Sequence, residues 1–259
     1  MVKKSVGMLR ESFREKGTIL KAAFLYFLMI AVIYAFANII GSLVPKDTSA
    51  MMSVVQNGFF NIIFIIIIAI AYILLMAFIF SFFKMIIISV AQKKPVTKKT
   101  FSILGGFFLF NLVECIIIGA IFLIIGAVLS YTFNQSQTVS LIYAAVFAFF
   151  AYPFGNLSQI AYVRELKIFK SMKNGLNILF SQFGHYVRII ITNAVFIGIL
   201  LLVFLIIGSI YKAIVAKQTS MAYVAAYNAV FIAAMSALFL IISAYNLYFL
   251  NKMARESKA

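Results

Sequence analysis

Few side chains in this sequence are equipped for chemistry. It has one histidine, His185, one cysteine, Cys115, and six acids: Glu11, Glu15, Asp47, Glu114, Glu165 and Glu256. Metal centres draw on several His, Cys or carboxylate ligands, and a single copy of this chain can furnish neither a two-His site nor a thiolate cluster. No G-x-S-x-G nucleophile elbow and no phosphate-cradling Walker loop occurs. Membrane enzymes that hold metal against phospholipid headgroups need several acids, yet most of the acids here stand beside Lys or Arg and read as solvated pairs. The expectation is that the chain is not an enzyme and takes no cofactor. An enzyme would require Glu114 and His185 to converge in one cavity.

Glu114 stands apart from the other acids. It lies inside an apolar run, where an ionised carboxylate is costly. Asn111 sits one turn earlier on the same helical face, and Lys84 lies near the end of the preceding apolar run. Two readings are open. One is an intramembrane ion pair, or a proton or cation site. The plainer one, which is the expectation, has the helix start late, with Glu114 near the interface and Lys84 reaching outward to lipid phosphates. A second group is Tyr152, Pro153, Asn156 and Gln159. A proline within a helix frees a carbonyl, and together these four could line a polar cavity. Asn38, Asn61, Asn193, Ser236, Ser243 and Asn246 read as interhelical hydrogen-bonding groups.

The elements that position these residues follow from composition. Of 259 residues, 65% are hydrophobic and 11% charged, and the mean hydropathy is +1.11. A soluble domain could not cover so much apolar surface, whereas lipid can solvate it. In lipid the backbone must satisfy its own hydrogen bonds, which leaves helices or closed barrels. Barrel strands alternate in polarity, but the run from Ile62 to Ile70 reads IIFIIIIAI without interruption. The expected fold class is all-α: a polytopic membrane protein of six spans. The spans are Ile19–Val44, Phe59–Phe83, Phe107–Phe133, Leu141–Val163, Ile189–Tyr211 and Ala225–Leu250, each near the roughly 20 residues that a bilayer requires. Residues 1–17 are expected as an interfacial amphipathic helix, 19–250 as one bundle and 251–259 as a cytoplasmic tail. The first apolar run is too long, and its lead-in too charged, for a cleaved signal peptide.

The formal charge of +16 could suggest nucleic acid, but its distribution argues against that partner. All Lys and Arg except Lys46, Lys212 and Lys217 fall at the N-terminus, near the 2–3 and 4–5 connections, or at the C-terminus. Alternation of this kind is the positive-inside pattern. It predicts both termini in the cytoplasm of a cell-membrane protein and an even number of spans.

The basic segments are also amphipathic. Val2, Val6, Leu9 and Phe13 follow the helical period near the N-terminus, and Phe169, Met172, Leu176, Leu179 and Phe183 follow it in the 4–5 connection. In the 2–3 connection Pro95 interrupts, after which Thr97 or Thr100 can cap a turn. Each Lys or Arg near an anionic leaflet contributes about 1 kcal/mol. The candidate anionic-lipid contacts are Lys3, Lys4, Arg10, Arg14, Lys93, Lys94, Lys98, Lys99, Lys167, Lys170 and Lys173. A purely topological role for these charges is the alternative.

Each first span of a pair ends alike, at Ile39-Ile40-Gly41-Ser42, Ile124-Ile125-Gly126-Ala127 and Ile206-Ile207-Gly208-Ser209, which suggests three repeated hairpins. Small residues let helices approach in lipid. The stripes Ala225-Ala229-Ala233-Ala237 and Ala144-Ala148-Ala151-Gly155, with Gly119 and Gly126, are therefore expected at the inner interface.

This plan of a basic amphipathic lead-in before spans one, three and five, as in Arg164-Glu165-Leu166-Lys167-Ile168-Phe169-Lys170-Ser171-Met172, resembles that of uncharacterised prokaryotic six-span membrane proteins. That group includes the membrane domain attached to some glycerophosphodiester phosphodiesterases. The resemblance implies a membrane scaffold or lipid-associated role, and it carries over no catalytic residue because hydrolysis there belongs to a separate soluble domain. The functional expectation is a non-enzymatic multi-pass protein that contacts anionic membrane lipids, with a protein partner or a second copy of itself. The alternative is a transport component such as an ABC exporter permease subunit.

Overall fold

A computed structural model of the chain describes residues 15–43, 59–133, 137–215 and 221–257. Eight helices account for nearly all of these: α1 (Lys16–Leu43), α2 (Phe59–Ala91), α3 (Lys98–Ser102), α4 (Leu104–Thr132), α5 (Gln137–Glu165), α6 (Ile168–Ser181), α7 (Phe183–Val215) and α8 (Met221–Glu256). Six of them, α1, α2, α4, α5, α7 and α8, are long and apolar enough to span a membrane. The chain is thus an all-α polytopic membrane protein. The expected N-terminal amphipathic helix, with Lys3, Lys4, Arg10 and Arg14, lies outside the described residues.

The helices run further than the apolar runs that announce them. α2 continues past Phe83 to Ala91, α4 begins at Leu104, and α8 reaches Glu256. A 29-residue helix such as α4 is about 44 Å long at 1.5 Å per residue, against roughly 30 Å of hydrocarbon. The extra turns lie mainly at the end where Lys and Arg gather, called here the basic end. Residues 251–256, expected as a tail, instead complete α8 there, and Asn251, Met253 and Ala254 are buried.

Burial follows the same end. The core consists of Ala22, Ala23, Tyr26 and Met29 in α1, Met85, Ile87 and Ile88 in α2, and Phe107 and Phe110 in α4, with Leu157 and Ile160 in α5 and Ala244, Leu247 and Leu250 in α8. In each antiparallel helix these residues occupy the half nearest the basic end. The other halves carry large exposed apolar side chains, such as Ile66, Ile70, Leu123, Ile124, Leu202 and Ile232, as suits surface solvated by lipid. The alanine stripe of the last span does not form an inner interface: Ala229, Ala233 and Ala237 are exposed. Packing is instead set nearer the basic end, where aromatic and branched side chains interlock. There Phe110 stacks on Tyr162 at 4.6 Å.

Contacts run α1–α2, α2–α4, α4–α5, α5–α8 and α8–α1, which closes a ring of five helices. α7 stands outside it, against α6 and α8 and against α5 through Tyr186 and Phe183. The chain therefore does not pack as three equivalent hairpins.

Two backbone devices turn the chain at the basic end. α2 ends with Lys93 at φ 56°, Lys93 N–H donating to Val90 O (2.9 Å) and Lys94 N–H to Ser89 O (3.0 Å), the paired bonds of a Schellman cap. α5 ends at Leu166, φ 55°, after which α6 folds back on it. α6 buries Ser171, Gly175, Ile178 and Leu179, while Phe169 and Leu176 of its amphipathic stripe are exposed. Gly175 explains the buried face, because a Cβ there would stand 2.9 Å from Ser158 Cα. Only a glycine face lets α6 come that close to α5.

Pro153 lies within an unbroken α5. Having no N–H, it leaves the carbonyl of Phe149 without its helical donor. The hydroxyl of Tyr186 on α7 donates to that oxygen at 2.8 Å. Tyr186→Phe is expected to lower stability by about 1–3 kcal/mol. In a Pro153→Ala background, where the backbone supplies the donor, the loss should shrink. Equal losses in both backgrounds, measured by denaturant unfolding in micelles, would refute this account.

Candidate functional site: a buried polar layer

Six spans bring polar side chains to one level. Tyr26, Glu114 and Asn193 lie ten residues after their helices begin, Lys84 seven residues before α2 ends, Asn156 nine before α5 ends, and Asn246 ten before α8 ends. At 1.5 Å per residue all stand about 10–15 Å from the basic end. One layer thus crosses the ring, with Asn193 of α7 joined from outside by its amide donating to Asn246 Oδ1 at 2.7 Å.

Lys84 and Glu114 are 5% and 3% exposed. Lys84 does not reach outward. Its ammonium donates to Tyr26 Oη (2.8 Å) and Asn156 Oδ1 (2.7 Å) and lies 5.1 Å from the centroid of the Tyr26 ring. Glu114 Oε2 accepts from Gln159 Nε2 at 3.1 Å, and Ser158 also faces that carboxyl. His185, in the first turn of α7, gives Glu114 no bond.

Lys84 and Glu114 form no ion pair within 4.0 Å. α5 serves both with two amides one turn apart. Asn156 turns its carbonyl to the ammonium, and Gln159 turns its NH₂ to the carboxylate. Each amide shows the charge the end of its dipole that the charge prefers, so both are stabilised without direct contact. Asn156 Nδ2 in turn donates to Tyr152 O (2.8 Å), and Asn111 Nδ2 donates to Ser81 Oγ (2.8 Å).

Of the four residues expected to line a cavity, Pro153, Asn156 and Gln159 are buried and Tyr152 is 39% exposed. Asn156 and Gln159 pack into the charge layer. Sequence reasoning missed Tyr26, Ser81 and Ser158. Tyr26 and Ser81 are isolated polar groups in apolar runs at the depth of Lys84, and that coincidence of depth was the available signal.

A second polar cluster closes the basic end. Asn251 Nδ2 donates to Ala91 O (3.0 Å) and Arg255 Nη2 to Gln92 O (2.7 Å), so α8 caps the last carbonyls of α2. The last carbonyls of α8 are capped in turn. Ala254 O accepts from Arg164 Nη1 (2.9 Å) and Met253 O from Gln182 Nε2 (3.2 Å). Basic donors at helix C-termini also match the helix dipole. Beside this lattice is a cleft of about 360 Å³ lined by Glu15, Ala91, Lys93, Tyr248, Asn251, Lys252, Arg255 and Glu256. Lys93 bonds Glu15 at 2.6 Å, and that hydrogen bond holds the Lys93 ammonium above its usual pKa. Lys94, Lys98, Lys99, Lys167, Lys170 and Lys173 are all exposed, with Lys170 3.6 Å from Glu165.

Removing either charge of the layer leaves the other buried beside an unmatched amide. Glu114→Gln and Lys84→Met are each expected to cost several kcal/mol, and the double variant less than their sum, with a coupling of about 0.5–3 kcal/mol. Strict additivity in the unfolding cycle would show the charges to be independent.

Compared with known proteins, the chain matches no family model, no curated protein and no solved structure.

Proposed function

We propose that the chain is a non-enzymatic multi-pass protein of the cytoplasmic membrane, with both termini in the cytoplasm, that works as a scaffold in contact with anionic lipid. The cleft at the basic end carries this reading. Lys93, Lys252 and Arg255 outnumber Glu15 and Glu256 there, and Tyr248 and Asn251 add an aromatic face and an amide. An excess of positive charge in a concavity beside the membrane surface suits a lipid phosphate. The exposed lysines of α3, α6 and their approaches extend the same field. The resemblance to six-span proteins related to the membrane domain of glycerophosphodiester phosphodiesterases is a proposal of the same kind, resting on plan alone.

One observation favours the alternative of a transport component, such as an ABC exporter permease subunit: a pair of opposite charges inside the bundle, which in membrane proteins often marks a transport path. An ATPase that co-purifies in fixed ratio from native membranes would support that reading over the scaffold.

The lipid reading predicts that nanodiscs containing phosphatidylglycerol raise the unfolding temperature over pure phosphatidylcholine and that native mass spectrometry retains the anionic lipid. Lys93→Gln and Lys252→Gln should each weaken retention about fivefold, corresponding to about 1 kcal/mol per lysine. Equal stability in the two lipids, with no selective retention, would overturn it.

A further inference from the structure

Donor and acceptor directions in the polar layer are fixed one after another. The Ser81 hydroxyl donates to Ala77 O at 2.7 Å, so its oxygen must accept from Asn111 Nδ2. That orientation leaves Asn111 Oδ1 without a hydrogen-bond partner. Glu114 Oε2 is an acceptor, so Gln159 presents its NH₂ and its own Oε1 is left over. Glu114 Oε1 and Ser158 Oγ also form no hydrogen bond of good geometry, though the Ser158 hydroxyl faces the carboxyl.

Four side-chain oxygens are therefore unmatched on two adjoining helices, Asn111 and Glu114 on α4 and Ser158 and Gln159 on α5. All four residues are more than nine-tenths buried. Only Ser158 brings a hydrogen to the group. Gly155 of α5 lies beside the same carboxyl, where a Cβ would make ordinary contact at 3.9 Å. A buried oxygen without a donor costs about 1–3 kcal/mol, and four together call for a cation or for donors from outside the chain.

We propose that Glu114, Asn111, Ser158 and Gln159 form a binding site for a sodium ion between α4 and α5. Carboxylate, amide and hydroxyl oxygens are the ligands that hard cations take. Charge favours a single positive charge on the ion. The site's one carboxylate is set against Lys84 in the same layer, so a divalent ion would leave two uncompensated charges in the low-dielectric interior where sodium leaves one. Lys84 itself is bonded to Tyr26 and Asn156 and so leaves the four oxygens to the ion. This assignment is independent of lipid binding at the basic end.

The test is thermal unfolding of the full chain in neutral-lipid nanodiscs at constant ionic strength, with choline chloride replaced stepwise by NaCl and, in parallel, by KCl, each at two pH values. A ligand that binds the native state raises its stability in proportion to ln(1 + [L]/Kd). The expected result is a saturable rise with Na⁺ that K⁺ matches poorly, and its loss in Glu114→Gln. Should that variant fail to fold, Gln159→Glu keeps the test sharp. A second carboxylate at the site should shift the preference towards Ca²⁺, read as stabilisation by CaCl₂ that the parent chain lacks. A parent response no different from choline, a shift that depends on pH but not on Na⁺ (a proton or buried water only), or a sodium effect that persists in Glu114→Gln would each overturn the assignment.

Discussion

Lys84 is the interaction on which the rest of the bundle depends. An ammonium 5% exposed in a layer of hydrocarbon-packed helices has to be hydrogen-bonded, because an unpaired buried charge costs far more than a fold of this size can spare. Its two bonds reach Tyr26 on α1 and Asn156 on α5, so one side chain fixes the rotation of three helices at once. Glu114 does the same for α4 through Gln159. Small residues alone could let the helices touch in several registers, but only one register gives both charges their amides. The two amides of α5 give that register its defined geometry.

The basic end supplies a different kind of order. Helix ends leave carbonyls without partners, and here neighbouring helices serve them. Asn251 and Arg255 cap α2, while Arg164 and Gln182 cap α8. Charges that read in sequence as topology signals are in part structural side chains. Arg164 and Arg255 are committed to backbone carbonyls, whereas Lys94, Lys98 and Lys99 stay exposed. The two sets differ in chemistry as well, since the planar guanidinium can serve a carbonyl and a neighbouring amide together, as Arg164 does with Ala254 and Asn251.

Much of this architecture was legible in the residues. Continuous apolar runs announced the six long helices, and Glu114, Lys84 and Asn111 stood out because polar groups in such runs are rare. Helix ends were less legible. Hydropathy stops where apolar residues stop, while α2 and α8 are carried further by hydrogen bonds from distant segments that no local pattern contains. The face that α6 packs on α5 was not legible either, because Gly175 admits so close a contact with Ser158 that a small-residue face is buried, while Phe169 and Leu176 of the amphipathic stripe stay exposed. The alanine stripe of α8 misled in the opposite way: small residues permit close approach without compelling it, and the interlocking side chains nearer the basic end decide where α8 packs.

The closed ring of five helices also constrains how the protein comes to exist. Helices enter a membrane in chain order, yet Lys84 takes its bonds from residues 58 positions before it and 72 positions after it. While α2 is being inserted, Tyr26 is already present but Asn156 has not been made, so the ammonium is held on one side only. The ring then stays open until the last helix, α8, reaches back to α1, the first. The ring therefore closes only when α8 docks, and a chain halted before α8 would hold Lys84 with both its partners but leave the seam between α1 and α5 unsealed.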